Sequence, residues 1–286
     1  MQKNIYAIVV LYNADFNLLK QQYDSLTSQV SKVIYVDNGS TEIPKFISDY
    51  EKTNKIILIK NDKNFGLGKA QNQGIEIACN ENADFVLLLD QDSILAENMV
   101  SVLETEYNNL STQHKVAAIG PQLKSRFDNS LDTYGVFSVG LRIKKKSIID
   151  TCKVAYIIAS GSLIPTNVFK SIGMINEKLF IDNLDLEWCL RANYNGFSIF
   201  QTAKTTLLHC LGNGEKNIIL SHSPTREYYI IRNSILLTKL KHISLGFKIR
   251  KIIYSSLRIF YSFSHGYLKY LYSELKGLKD GYIMKV

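Results

Sequence analysis

Phe85-Val86-Leu87-Leu88-Leu89-Asp90-Gln91-Asp92 is the stretch that decides the fold. Five apolar residues running straight into an acidic turn describe a strand covered on both faces. The run Ile5 to Leu11 has the same character and ends at Tyr12-Asn13, while Lys32–Val36 ends in Asp37-Asn38-Gly39-Ser40. Lys55–Lys60 leads to Asn64-Phe65-Gly66-Leu67-Gly68. Helical spacing fills the intervals at Phe16–Leu26, Pro44–Tyr50 and Lys69–Cys79. Alternating strands and helices joined by short polar turns imply a mainly parallel α/β sheet, whose ligand sits outside the carboxyl ends of the strands. The middle of the chain is less regular: strands are expected at Val116–Ile119, Val154–Ala159 and Thr206–Leu208, a helix at Thr166–Gly173 opening at Pro165, and a loop or hairpin over Leu131–Lys146. From Ser223 the pattern is helical.

The 286 residues, 46% of them hydrophobic, with a mean hydropathy of −0.04, have the make-up of an ordinary globular protein rather than a disordered or fibrous one. Four scattered cysteines (Cys79, Cys152, Cys189, Cys210) form no CxxC pair, which argues against a disulfide scaffold or structural zinc and for a reducing compartment. Ile5–Leu11 is too short to span a bilayer and lacks the flanks of a signal peptide, so a cytoplasmic location is expected. The net charge of +8 is unevenly placed. Residues 239–286 hold ten Lys/Arg against Glu274 and Asp280, whereas bases and acids cancel in the rest. The basic end therefore calls for an anionic partner.

The strand-end turns carry the chemistry. Asp90 and Asp92 can share a divalent ion of the hard class, Mg²⁺ or Mn²⁺, which would neutralise a nucleotide diphosphate; Asp92 or Ser93 as a helix cap is the competing explanation. Asp37 could accept from a pyrimidine N–H or ribose hydroxyl, a role that the tight Asn38-Gly39 turn does not by itself require. Asn64 to Gly68 lets backbone approach a ligand before a helix N-terminus, but matches neither G-x-G-x-x-G nor a P-loop. Phe180-Ile181-Asp182-Asn183-Leu184-Asp185-Leu186-Glu187-Trp188-Cys189-Leu190-Arg191 is the densest cluster. With a helix starting near Asp182, Asp185 could serve as a general base toward an incoming hydroxyl, or simply cap the helix. Glu187, Trp188 and Arg191 are candidates for acceptor or phosphate contacts, Trp188 being equally suited to the core. His209 could complete a metal site with Asp92. Arg226 and Arg232 could grip a phosphate or pair with nearby acids.

Together these segments resemble the inverting nucleotide-sugar glycosyltransferases of the GT-A fold, often called family two. The resemblance rests on Leu11-Tyr12-Asn13, Val36-Asp37-Asn38-Gly39-Ser40, Asn64-Phe65-Gly66 and Leu88-Leu89-Asp90-Gln91-Asp92, and on the match of Leu184 to Arg191 to the family's E-D-x-D-L-x-x-R helix. It covers residues 3 to about 235. It implies a Rossmann-like nucleotide-binding mixed sheet with a C-terminal helical extension. It also implies that Asp37, Asp90 and Asp92 hold nucleoside and metal and that Asp185 is the catalytic base, with Tyr12, Asn13, Asn38, Asn64, Gly66 and Gln91 around the nucleotide sugar. Leu184 and Glu187 depart from the pattern. The Phe-Ile-Asp-x-x-Asp-x-Glu-Trp-Cys-Leu-Arg variant, with Arg226-Glu227-Tyr228-Tyr229 and Arg232-Asn233, looks most like bacterial rhamnosyltransferases that use dTDP-L-rhamnose. This implies a glycan or lipid-linked acceptor in cell-surface polysaccharide synthesis; a UDP-linked donor is the alternative.

A catalytic unit is thus expected over residues 1–238 and a basic amphipathic segment over 239–286. In the latter, Ile249, Ile252, Ile253, Leu257, Phe260 and Phe263 share one helical arc, with Arg250, Lys251 and Arg258 largely opposite. The stripe can lie in an anionic membrane interface at the inner face of the cell membrane, dock on the catalytic unit, or join a homo-oligomer. A nucleotidyltransferase lacks its glycine-rich basic loop here. A nucleic-acid-binding protein would account for the basic end with its interleaved tyrosines but not for Asp37, Asp90, Asp92 and Asp185, which would repel a polyphosphate backbone unless metal were bound, so no nucleic-acid partner is expected.

Overall fold

The structure is a computed structural model that describes residues 3–47, 54–131, 134–137, 143–147, 149–209 and 222–285. Its centre is a parallel block: β1 (Ile5–Leu11), β2 (Lys32–Asp37), β3 (Ile56–Lys60) and β4 (Phe85–Asp90), in the order β3-β2-β1-β4. Beyond β4 the sheet turns mixed. β10 (Ser162–Pro165) runs antiparallel to β4 and to β6 (Val116–Ser125), and β11 (Ser198–His209) continues parallel to β6. The short β5 (Ile94–Leu95) and β9 (Cys152–Val154) both add antiparallel to β11. A separate hairpin, β7 (Tyr134–Phe137) with β8 (Ile143–Lys146), realises the hairpin expected in this region. The strand expected over Val154–Ala159 ends at Val154. Cys210 and Gly212–Gly214 lie outside the described residues, as does the end of the expected Pro44–Tyr50 helix.

The apolar runs are continuous because both faces are covered. Along β1, Tyr6 and Ile8 join one core with Ala70 and Ile75 of α2 (Leu67–Asn80), Phe169 of α4 (Thr166–Ile172) and Trp188 of α5 (Leu184–Tyr194). Ala7, Val9 and Leu11 point the other way, to Leu19 and Leu26 of α1 (Phe16–Leu26) and Met99 and Leu103 of α3 (Met99–Ser111). The period of two along a strand sorts these side chains without any polar residue between them. Cys79 and Cys189 are free thiols.

Three helices close the chain: α6 (Pro224–Lys239), α7 (Leu245–Ser264) and α8 (Leu268–Ile283). Helix α8 lies tightly on α6, and a Cβ on Gly277 would stand 2.5 Å from the Tyr228 carbonyl, so only glycine permits that approach. In α7 the usual polarity is reversed. Ser255, Arg258 and Ser262 are buried, with Arg258 Nε donating to Glu227 at 3.0 Å, while Ile249, Ile252, Ile253, Leu257, Phe260 and Phe263 are exposed. The option of docking the apolar stripe on the catalytic unit is therefore overturned; the polar flank docks and the apolar flank faces outward. No helix among the described residues is long and apolar enough to cross a membrane.

Candidate active site

The carboxyl ends of β1, β2 and β4 meet because the three strands run in register, with Leu11 beside Asp37 and Val10 beside Asp90. Their turns are tied to one another. The backbone N–H of Tyr12 donates to Gln91 Oε1 at 2.9 Å, that of Asn13 to Ser40 Oγ at 2.9 Å, and Thr41 N–H to Asn13 Oδ1 at 3.1 Å. Asp37 is buried and accepts from Ser40 N–H at 3.3 Å. Asn38 donates to Asn64 Oδ1 at 3.0 Å and accepts from Phe65 N–H at 3.1 Å. Gly66, at φ +91°, brings the backbone under Phe180, whose ring a Cβ there would meet at 2.6 Å.

A cavity of about 730 Å³ opens over this edge, lined by Tyr12, Asn38, Asn64, Asp90, Gln91, Asp92, His209 and Arg226 together with Val10, Leu67, Phe180, Ile181 and His222. Eight sequence-derived candidates thus converge on one space. Asn13, Asp37 and Gly66 stand behind its wall and shape the turns. One ligand atom each from Asp90, Asp92 and His209 lies within 4.8 Å of the others. His209 Nε2 is 3.7 Å from Asp90 and Nδ1 3.5 Å from Asp92. Burial raises the Asp90 carboxyl and Asp92 adds to the rise, while His209 and Arg226 oppose it. Two carboxylates and an imidazole are a donor set that suits Mg²⁺ or Mn²⁺. The helix-cap explanation for Asp92 and Ser93 fails, since Ile94–Leu95 is strand and the next helix starts at Met99.

Helix α5 begins at Leu184, two residues later than the sequence suggests, behind a turn in which Phe180, Asp182 and Asn183 all have φ of 62° to 64°. Such backbone costs about 1–3 kcal/mol per residue and persists only where it is held. Asn233 holds it, its amide donating to the carbonyls of Leu179, Ile181 and Asp182 at 2.8, 2.6 and 3.0 Å. Arg232 donates to Lys178 and Leu179 carbonyls at 2.8 and 2.9 Å and is buried. The expected phosphate contact for Arg232 is therefore corrected: it is a clamp under the turn. Arg226 does reach the cavity, paired with Asp182 at 2.9 Å.

Asp185 sits on the first turn of α5, half-buried, accepting from Leu186 N–H at 2.8 Å. It opens on a recess of about 20 Å³ shared with Ala159 and Trp188 rather than on the large cavity. Burial, with the nearby charge of Asp90, pushes its carboxyl up to about 6. Asp185 thus lies within electrostatic reach of Asp90.

Glu187, Trp188 and Arg191 point away from it. Glu187 is 1% exposed; Arg191 donates to it at 3.0 Å and caps the carbonyls of Ile172 and Met174 at 2.8 Å. His242 Nε2 lies 2.8 Å from Glu187 Oε1. Trp188 packs on Phe169 and donates to Gly173 O at 3.0 Å. Acceptor or phosphate contacts for these three are corrected to core-building roles. His222, Phe180 and Ile181 are site residues that the sequence reading passed over; only the last two lay in a segment already singled out.

The Glycosyl transferase family 2 profile matches residues 6–173. The dTDP-rhamnosyl transferase RfbF of Shigella flexneri is 32% identical over 265 residues, covering 89% of this chain and 86% of its own length. The O-antigen chain rhamnosyltransferase WbaN of Salmonella anatum is 28% identical over 210 residues, or 71% of this chain and 64% of that one. Among solved structures, S. aureus TarS 1–349 in complex with UDP-GlcNAc superposes with a TM-score of 0.55 at 18% identity, over 87% of this chain and 69% of that one. GalNAc-T7 with UDP, GalNAc and Mn²⁺ gives a TM-score of 0.60 at 12% identity, over 88% of this chain and 54% of that one. At these identities the two structures speak for the fold. The extended match to RfbF and the family profile agree with the strand-end geometry: this chain is a glycosyltransferase and belongs to glycosyl transferase family 2.

Proposed function

We propose that the chain transfers L-rhamnose from dTDP-L-rhamnose to a hydroxyl of a glycan or lipid-linked saccharide in bacterial cell-surface polysaccharide synthesis, inverting the anomeric configuration. The donor assignment leans on the name and extent of the RfbF match, and the pathway on that of WbaN. The observation that carries the chemistry is the pairing of a carboxyl-rich cavity edge at Asp90, Asp92 and His209 with a desolvated carboxylate at Asp185.

In this reading Tyr12, Asn38, Asn64 and Gln91 orient the nucleotide, with Asp37 fixing the turn that presents Asn38. Asp90, Asp92 and His209 would hold Mg²⁺ or Mn²⁺, which when bound offsets the charge of the departing diphosphate. Arg226 adds a guanidinium on the same side of the cavity. Asp185 takes the proton from the acceptor hydroxyl as that oxygen attacks the anomeric carbon. A carboxyl near 6 is ionised at neutral pH yet basic enough to share that proton in the transition state. The outward apolar flank of α7 and the lysines of α8 fit a peripheral seat on an anionic membrane at its cytoplasmic face.

A hydrolysis screen of nucleotide sugars with and without Mn²⁺ tests class, donor and metal together. Release of dTDP from dTDP-L-rhamnose that stops with EDTA is expected, and turnover of a UDP-sugar instead would sink the donor assignment. Asp92→Ala should weaken dTDP binding in the presence of Mn²⁺ by about tenfold, the worth of one lost charge-assisted contact, as read by calorimetry.

A further inference from the structure

Asn183 occupies the N-cap position of α5, with its backbone at φ 64° and ψ 9°. A capping asparagine normally takes an extended backbone, from which its side-chain oxygen accepts the N–H of the second or third helical residue. Those residues here are Asp185 and Leu186, and the Asn183 side chain caps neither. The ordinary arrangement is seen at α1, where Asp15 is extended and accepts from Asn17 and Leu18. Asn98, left-handed like Asn183, leaves the start of α3 uncapped in the same way. The left-handed backbone is thus what withholds the cap.

The N–H groups so released go to the candidate base. Asp185 Oδ1 accepts from Leu186 N–H at 2.8 Å, and the N–H groups of Asp185 itself and of Ala159 act on the same carboxyl. An asparagine held left-handed forgoes both an easier backbone and a cap bond, so the surroundings must hold it. On one side Asn233 binds the Ile181 and Asp182 carbonyls of the preceding turn. On the other, Lys251 of α7 donates from Nζ to Asn183 Oδ1 at 2.7 Å. Burial and the neighbouring Arg250 push the Lys251 amine down to about 8, with Asp182 and Asp185 opposing. An amine donates in its charged and neutral forms alike, so the tie does not depend on its charge.

We infer that Lys251 is a positioning residue for Asp185: by holding the Asn183 amide it keeps the chain left-handed at the N-cap and reserves the first N–H groups of α5 for the carboxylate that takes the acceptor proton. The inference rests on the reading of Asp185 as the base and deepens it, because the C-terminal helix α7 then helps to aim the reacting carboxylate. Without Lys251, Asn183 relaxes to an extended cap, occupies the N–H of Asp185 or Leu186, and sets the Asp185 side chain loose.

Hydrolysis of dTDP-L-rhamnose by the full-length protein with Mn²⁺, in which water takes the acceptor's place, supplies the first readout. Lys251→Met keeps the aliphatic stem and removes the donor. Its kcat should fall roughly tenfold to a hundredfold, while dTDP affinity by calorimetry stays within about twofold. Adding Asn183→Gly, which suits the left-handed backbone and carries no capping oxygen, should return most of the lost rate; a merely structural loss would stay or deepen. A second pair leaves Lys251 in place and decides the matter even if Lys251→Met does not fold. Asn183→Ser, a strong cap without the amide that reaches Lys251, should be about tenfold slower than Asn183→Gly. An unchanged rate in Lys251→Met, no recovery in the double variant, or equal rates for the two Asn183 variants overturns the inference. Crystal structures of Lys251→Met and Asn183→Ser supply a readout free of the reaction. Position 183 should be extended, with its side-chain oxygen on the N–H of Asp185 or Leu186; a left-handed position 183 with Asp185 undisturbed overturns the inference. Failure of the unsubstituted protein to hydrolyse dTDP-L-rhamnose would count against the donor assignment alone, because the crystal structures still decide what Lys251 holds.

Discussion

The two flanks of α5 carry acids two residues apart and treat them in opposite ways. On the cleft flank, Asp185 is desolvated and sits near Asp90, and these outweigh the backbone N–H groups that oppose them, so its carboxyl climbs to about 6. On the core flank, burial would raise Glu187 too, but His242 and Arg191 outweigh it and hold the carboxyl below its usual range. A buried acid with cationic partners is a structural element; a buried acid without them is a proton acceptor in waiting. Sequence position alone does not separate the two, since both lie in the first turn of one helix.

The sharpest way to break the comparison is Asp185→Asn. The amide oxygen can still accept from Leu186 N–H, so the helix start survives, while proton abstraction is lost. We expect kcat to fall by roughly 10²–10⁴ with dTDP affinity within about twofold, measured by turnover and calorimetry. Equal loss of both would make Asp185 structural, like its neighbour.

Glu187→Ala should do the reverse. Removing the buried partner of the pair costs roughly 3–5 kcal/mol because the half-buried Arg191 loses its carboxylate and keeps only the Ile172 and Met174 carbonyls, and at about 2–4 °C per kcal/mol for a chain of this size the melting temperature should drop by about 6 °C or more. The kcat of the folded fraction should hold. Since the folded-state carboxyl of Glu187 is depressed, its contribution is present above the ordinary glutamate range and is lost as pH falls through the folded value. The gap between wild type and variant should therefore narrow in acid, and a gap that widens would reverse the assigned roles.

The acid flank sets a pH limb of its own. Only ionised Asp185 can accept a proton, so kcat at saturating donor should fall about tenfold per unit below pH 6 and level off above it. The limb should vanish in the residual activity of Asp185→Asn. A midpoint near 4 would mean that the acceptor or the metal undoes the desolvation.

What the sequence made legible follows from the same physics. Uninterrupted apolar strands ending in Asn, Asp and Gly can be read directly, because double burial leaves no polar residue and parallel strands put their turns at one edge. That is why Asp90, Asp92, Asn38 and Asn64 were found together. Burial on α5 could not be read: helical spacing sets Arg191 one turn from Glu187, but His242 lies far along the chain and only packing brings it there. The separation of Arg226 from Arg232 was legible in principle: six residues are about 600° of an α-helix, so the two cannot share a face. The reversal in α7 was not. Periodicity shows that a helix has an apolar stripe, and says nothing about which side meets the protein when Arg258 finds a buried Glu227 to pair with.

The smallest effect tests the correction at Trp188. Its indole N–H donates to Gly173 O at the C-terminal end of α4, and its ring fills the space beside Phe169. Trp188→Phe keeps most of the apolar contact, removes that hydrogen bond and leaves the Gly173 carbonyl without its donor. A net loss of about 1 kcal/mol is expected, or a fall of about 2–4 °C in melting temperature. A ring that stacked on the acceptor sugar would show itself differently, because losing the larger face would raise the acceptor KM with little change in stability. With the ring 2% exposed and tied to α4, the change belongs in the melting curve, and an acceptor KM raised by about tenfold or more would return Trp188 to the cleft flank.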